Sequence, residues 1–398
     1  MDYHKCKVAI VGNMNNNHFA LLRYLLDQGI DATLLLYNNE TDHFLPERDT
    51  WHIEKWEPRI KKMDIDMYGK SIFTKSRSSI ASQFGSYDIY IGHGFTPGYF
   101  AFIKKTLDIF IPFGIYVEGL QFSKGSVVKK LFKQILVRLQ KKGLNNCNYA
   151  IAFEKETQEV LSNYSCNIKR YPIPMVYVEN SCREDDESLN NIIQKFKAYD
   201  LVLFSHVSLI WKKNQSWWLD GGKGNDKLIK GFAKYIKKSK RKSLLALVEY
   251  GSDILETKDL VKELGIEDHV LWLPIMPRKM IVKLLRHVTF GGGEFWGYLW
   301  GGTGWEFMSE GVPFFQYVDM DVDTFEKERG LPFPKIINTQ DPTDICNHLL
   351  DYEKNPEPYI KMGKELKVWF EKYAGVGLAA KYKDLIVQIC KEKSNQGV

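Results

Sequence analysis

The chain has 398 residues, a length that suggests two or three domains at about 150 residues each. Hydrophobic residues make up 44% and charged residues 26%, which excludes a disordered chain. The net charge of +6 is unevenly spread: residues 1–175 hold 23 Lys and Arg against 17 Asp and Glu, and the remainder is balanced. A one-sided basic half points to an anionic surface or ligand for that half, though an excess this small does not by itself imply nucleic acid.

Residues 7–12 (KVAIVG) form a short apolar run closed by glycine and predict the first strand. A polar loop, Asn13 to Asn17, precedes a helix in which Leu21, Leu22, Leu25 and Leu26 recur at helical spacing, with Gly29 as its C-cap. The run IDATLLLY (30–37) predicts a second strand, so the chain opens as the β-loop-α-β unit of a doubly wound parallel sheet. Further strands are expected at 87–92, 114–117 and 149–153. Residues 123–142 place Val128, Leu131, Phe132, Ile135 and Leu139 at helical spacing among seven basic residues. Such a helix suits an anionic membrane surface, and equally a core-packing helix with a solvated basic face.

The polar, acidic segment 179–199 reads as an inter-domain linker. A second α/β series follows: strands at 201–206, 243–251, 269–274 and 312–318 alternate with helices and a glycine-rich segment, 291–304. Helices near 341–353, 356–371 and 377–392 close the chain. The expected division is therefore 1–178, a linker 179–200, a second domain 201–374, and a terminal helical segment 375–398.

No run of 18 apolar residues suggests a membrane span, and MDYHKCKVAIVG does not resemble a secretory signal. Six scattered cysteines (Cys6, Cys147, Cys166, Cys182, Cys346, Cys390) read as free thiols of a reducing cytoplasm, and no metal or other cofactor is expected.

Several segments can carry chemistry. Gly12 ends the first strand ahead of a helix N-terminus, where backbone N–H groups meet anions; the loop lacks G-x-G-x-x-G, which excludes a nicotinamide dinucleotide fingerprint. Lys223-Gly-Asn-Asp precedes a helix and can meet a phosphate. In 291–315 (GGGEFWGYLWGGTGWEFMSEGVPFF) glycines surround Glu294 and Glu306, with Glu306 expected in the first turn of a helix. A glycine-rich helix start offers N–H groups to a pyrophosphate, and a carboxylate there accepts hydrogen bonds from a ribose diol. His93 and Glu118 stand at expected strand ends, where ligands bind parallel sheets. Trp217-Trp218 are read as either a stacking surface or a local plug, and Asp319-Met-Asp321-Val-Asp323 as a polar loop.

In order along the second half, Lys223-Gly-Asn-Asp-Lys-Leu-Ile-Lys-Gly-Phe, Val248-Glu-Tyr-Gly251, Leu264-Gly-Ile-Glu-Asp-His-Val-Leu-Trp-Leu-Pro and Glu306-Phe-Met-Ser-Glu-Gly311-Val-Pro313 resemble the donor domain of GT-B glycosyltransferases, in particular the retaining family-four group. The resemblance implies two Rossmann-like domains facing across a cleft, with a C-terminal helix packing back on the N-terminal domain. It implies a metal-independent transfer of a sugar from a nucleotide-sugar donor to a saccharide or lipid-linked acceptor, in cell-surface glycan synthesis. Lys223 would meet the diphosphate, Glu306 the ribose, and Gly302, Thr303 and Gly304 the phosphates through their N–H groups. Gly12, Lys212 and Gly251 would also line the donor site, backbone near Ile275 would face the base, and Glu294 and Glu118 would lie near the reacting sugar; His93 joins them as a catalytic candidate on its strand-end position between glycines. Three departures stand out, the first being Glu118, in Val117-Glu118-Gly119, where the family usually carries a histidine after the fifth N-terminal strand. Glu294 and Glu306 are twelve apart where the family has eight, and His206 or Lys212 replaces a basic residue expected after the domain's first strand. A sugar-nucleotide epimerase and a non-catalytic binding relative stay open as alternatives.

Overall fold

The computed structural model describes residues 6–113, 127–173, 176–179, 186–212 and 222–396. The expected strand 114–117, Glu118, Cys182, Trp217-Trp218 and the first part of segment 123–142 lie outside these residues. The chain divides into two compact units. Unit 1 takes Met1–Tyr177, Glu326–Leu331 and Lys372–Val398, and unit 2 takes Val178–Phe325 and Pro332–Glu371.

Unit 1 is built on seven strands: β1 (Lys7–Val11), β2 (Asp31–Leu36), β3 (Ile60–Lys62), β4 (Ile89–Gly92), β5 (Leu107–Phe110), β6 (Cys147–Ile151) and β7 (Asn167–Lys169). All pair in parallel, in the order β3-β2-β1-β4-β5-β6-β7. Alternation along β1 explains how the sheet is covered on both faces. Val8 and Ile10 point into a core shared with Phe19, Leu22 and Leu25 of the helix Asn17–Asp27. Ala9 and Val11 point into a second core with Phe84, Tyr99, Phe100 and Leu136. The C-terminal helix, Val376–Gln396, completes the first core with Leu378, Tyr382, Leu385, Ile386 and Ile389. It therefore packs back on the N-terminal sheet, as the fold class requires.

Strand β5 is not apparent in the sequence because its apolar run is interrupted by Asp108. That carboxylate is fully buried, paired with Lys393 at 2.7 Å, and accepts the Tyr90 N–H at 2.9 Å. A partner 285 positions away hides the reason a charge can sit in a strand. The cysteines also differ from expectation. Cys6, just before β1, and Cys390, on the C-terminal helix, are joined as a disulfide, whereas Cys147, Cys166 and Cys346 are free and buried.

Unit 2 holds β8 (Leu201–Ser205), β9 (Ser243–Val248), β10 (Val270–Leu273), β11 (Phe290–Gly292), β12 (Phe314–Gln316) and β13 (Ile337–Asn338) in one parallel sheet, ordered β10-β9-β8-β11-β12-β13. Part of the expected linker is instead a helix, Glu187–Lys197. Asp186 caps it by accepting the Leu189 N–H, and Leu189, Ile192, Ile193 and Phe196 are buried along one face. The acidic residues that suggested a linker cluster ahead of this helix and at its start. No described helix is long and apolar enough to cross a membrane.

Because Cys6 and Cys390 protect each other and the three free thiols are buried, none of these five is expected to react with iodoacetamide in the native, unreduced chain. Reduction in denaturant should expose all five. Peptide mass spectrometry that finds native Cys6 and Cys390 alkylated without reductant would exclude the pairing.

Candidate functional site

Both sheets run outward in two directions from their first strand, so each has a point where the strand order reverses. Ligands of doubly wound sheets bind beyond the strand C-termini at that point. In unit 2 it lies between β8 and β11. His206 follows β8, and Glu294 stands two residues past β11.

The helix Gly301–Glu310 begins three residues earlier than its sequence suggests, so Glu306 occupies its second turn rather than its first. Gly301 to Gly304 form the first turn, with no side chain capping their N–H groups. These are the donors a helix start leaves without intrahelical partners. Gly301 lets the Glu294 carboxylate approach the helix closely, and a methyl group on it would force that carboxylate to move.

Glu306 is 5% exposed, and both its oxygens are taken. His206 Nε2 donates to one at 2.5 Å and Arg278 Nε to the other at 2.7 Å. Burial alone would raise its pKa, but these two partners outweigh burial and hold it below the ordinary carboxylate value. Glu294, also 5% exposed, accepts from Lys223 Nζ at 2.6 Å, and the same ammonium lies 4.6 Å from the centre of the Trp296 ring. Tyr250, past the end of β9, donates to the His206 carbonyl at 3.1 Å. Burial first, and then the charges of Glu306 and Glu294, push its hydroxyl up to about 12, so it stays protonated at neutral pH.

The sequence-predicted residues thus separate into two groups. Lys223, Glu294, Glu306 and the turn containing Gly302, Thr303 and Gly304 come together. Gly251 and Lys212 instead serve the loop after β8. A side chain at Gly251 would collide with Leu209 backbone, and the Lys212 N–H donates to buried Asp253 at 2.7 Å, as does that of Trp211. The Lys212 side chain is exposed, and Ile275 projects outward at the tip of β10. Arg278 and Tyr250 were missed. Both follow a strand end closely, which was the available signal. Among the described residues no three His, Cys, Asp or Glu side chains gather as a metal site.

No family model matches the chain, and no curated protein matches it. Solved structures do. Anabaena HepE in complex with UDP-glucose matches at a TM-score of 0.57 with 12% identity, over 98% of this chain and 100% of that one. WaaG, a glycosyltransferase involved in lipopolysaccharide biosynthesis, matches at 0.52 with 12% identity, over 95% and 99%. A candidate UDP-N-acetylglucosamine 2-epimerase from Listeria monocytogenes matches at 0.56 with 15% identity, over 95% and 94%. The fold is GT-B.

In unit 1 of this GT-B chain the reversal point lies between β1 and β4, and it brings together Gly12 and His93. Gly12 has φ +78°, and any side chain on it would overlap the His93 imidazole. His93 packs 5.1 Å from the ring of His18, and both are fully buried. His18 Nδ1 donates to the carbonyls of Val11 and Gly12. Burial lowers the pKa of His18 to about 4 and that of His93 well below its usual value, so both are neutral at pH 7. The loop N–H expected to be available to a ligand, that of Asn13, donates to the Glu40 carboxyl at 2.9 Å. This half of the GT-B fold thus presents neutral imidazoles and a loop donor already satisfied by its own carboxyl group.

A buried carboxylate that loses one partner costs about 3–5 kcal/mol, whereas removing the whole ionic group costs far less. Arg278→Met is therefore expected to destabilise unit 2 by about 3 kcal/mol, and adding Glu306→Gln to recover more than half of that loss. Chemical denaturation of the two single variants and the double variant measures the coupling. Additive losses would show that the clamp carries no coupling energy.

Proposed function

We propose that the chain is a nucleotide-sugar-dependent glycosyltransferase, acting like the retaining family-four enzymes on a saccharide or lipid-linked acceptor in cell-surface glycan synthesis. The observation that carries the reading is the convergence of Lys223, Glu294, Glu306 and the uncapped turn Gly301–Gly304 at the reversal point of unit 2. HepE, which shares the fold, holds UDP-glucose.

In the reaction the bond from the anomeric carbon to the diphosphate breaks, and its electron pair leaves on the phosphate oxygen. A bond from the acceptor hydroxyl forms in its place, and in a retaining reaction the hydroxyl proton passes to the departing phosphate. Lys223 and the helix-start N–H groups would stabilise the charge that develops there. Glu306 would hold the ribose and Glu294 the transferred sugar. In unit 1, His93 and Glu118 are assigned to the acceptor side on their expected strand-end positions, and His93 lies fully buried against Gly12. Lys223 and the peptide dipoles are the charge-stabilising groups in this reading, and no cofactor is assigned.

A thermal-shift screen of sugar nucleotides, with UDP-glucose first, should raise the melting temperature of the wild type. Lys223→Ala and Glu306→Ala should each abolish that shift while their own unliganded transitions remain cooperative. A shift unchanged in both variants would place the donor elsewhere. The Listeria neighbour favours a second reading, a sugar-nucleotide epimerase using the same donor site. Release of nucleoside diphosphate only when acceptor is present separates transfer from epimerisation.

The basic helix, Val127–Asn145, supports a further part of the reading, an acceptor presented on the inner face of a membrane. Leu131 is 59% exposed and Phe132 45%, and the Phe132 ring packs 4.7 Å from that of Phe73, itself 38% exposed. Arg138, Lys141 and Lys142 are exposed on the same helix, and no acidic residue occurs from 119 to 153. An apolar rim on a helix that also carries exposed cations fits an anionic bilayer. The chain should float with vesicles containing phosphatidylglycerol and not with pure phosphatidylcholine. Replacing Arg138, Lys141 and Lys142 by Glu, or Leu131, Phe132 and Phe73 by Ser, should each weaken flotation; flotation indifferent to both sets would count against a membrane role for this surface.

A further inference from the structure

Lys223 and Glu294 both stand in the proposed donor site, and here they neutralise each other. Their mobility differs. The Glu294 N–H donates to buried Gln316 at 2.8 Å, its own carbonyl accepts the Tyr317 N–H at 3.0 Å, and its carboxylate lies against the first turn of the helix Gly301–Glu310. The loop that follows is equally fixed. Asp319 N–H donates to the Gly297 carbonyl at 2.7 Å, and Trp296 Nε1 to the Leu299 carbonyl at 3.2 Å. Lys223 is the movable partner: its side chain is 25% exposed against 7% for that of Glu294, and a four-carbon stem carries its ammonium.

A diphosphate brings its negative charge to the same ammonium and competes with Glu294 for it. Once Lys223 leaves, the Glu294 carboxylate is buried with its charge uncompensated, which is costly unless new donors reach it. The hydroxyls of a sugar attached to the diphosphate are such donors, and a free nucleoside diphosphate has none in that place. We propose that Glu294 is a specificity-determining residue that competes with the donor diphosphate for Lys223, so that the site favours a nucleotide sugar over the free nucleoside diphosphate. This rests on the glycosyltransferase reading and goes beyond it in giving Glu294 a second task, weakening the hold on the diphosphate product after transfer. The aromatic excursion that makes the Glu294–Glu306 spacing twelve takes part, because Trp296 gives Lys223 its resting seat.

Calorimetric titration with inorganic pyrophosphate, UDP and UDP-glucose tests the exchange, and the pyrophosphate arm is independent of the base. Glu294→Gln should bind pyrophosphate and UDP roughly tenfold more tightly than wild type. It should gain less for UDP-glucose, so that the preference for the sugar nucleotide shrinks. Adding Lys223→Ala should cancel the gain. Glu294→Ala provides a second variant lacking the carboxylate, and melting temperatures establish that each chain is folded. Equal or weaker binding of pyrophosphate by folded Glu294→Gln and Glu294→Ala overturns the exchange and leaves the transferase reading standing. Absence of any Lys223-dependent binding of all three probes in wild type overturns both.

Discussion

The site depends on one constraint, a carboxylate buried at the edge of a parallel sheet. Glu306 cannot stay ionised there without partners, since the desolvation of an isolated charge far exceeds any packing gain. His206 and Arg278 supply those partners from two different elements, the tail of β8 and the helix that follows β10. Glu306 itself comes from a third, the helix after β11. One charge therefore fixes the mutual position of three segments around the reversal point. Tyr250 extends the arrangement to β9 by holding the His206 carbonyl. The clamp reaches every strand that borders the candidate donor site.

That constraint also explains why the site is compensated within itself. Two carboxylates face two permanent cations, Arg278 and Lys223, with His206 and Tyr250 between them. Among these described groups the two carboxylates and the two cations cancel. Of the two cations, the more exposed Lys223 is better suited to move than the clamped Arg278. The uncapped turn Gly301–Gly304 supplies what ion pairs cannot, N–H donors that need not be taken from another group.

The sequence made the fold legible where periodicity and glycine placement act locally. β1, β2, the helix between them and the alternation of strands and helices after residue 200 all follow from short-range patterns. The misses have a common physical origin in long-range compensation. Strand β5 gave no local signal, because the partner that lets Asp108 sit in it, Lys393, lies at the other end of the chain. Cys6 and Cys390 looked like free thiols for the same reason. The acidic stretch before Glu187 concealed a helix whose apolar face is only four residues wide. At the site, Lys223, Glu294 and Glu306 were legible because their residue types and glycine neighbours suit phosphate and sugar chemistry. Arg278 was not, because an arginine near a helix start has no local signature that tells a buried clamp from a solvated charge.

The two units share the strand order 3-2-1-4-5-6, and each gathers its polar groups at the same topological position, yet the chemistry gathered there differs. In unit 2 the position is ionic. In unit 1 it holds imidazoles that burial keeps neutral, beside a carboxyl, Glu40, whose pKa burial raises to about 7 against the N–H groups that favour its charge. A neutral, hydrogen-bonding edge suits hydroxyl groups better than phosphates, because desolvating a phosphate requires cations that this edge lacks among its described residues. The positive surplus of the first half is therefore not a property of its candidate site. Seven of the basic residues fall between Lys124 and Lys142, and of these Arg138, Lys141 and Lys142 are exposed on the helix Val127–Asn145.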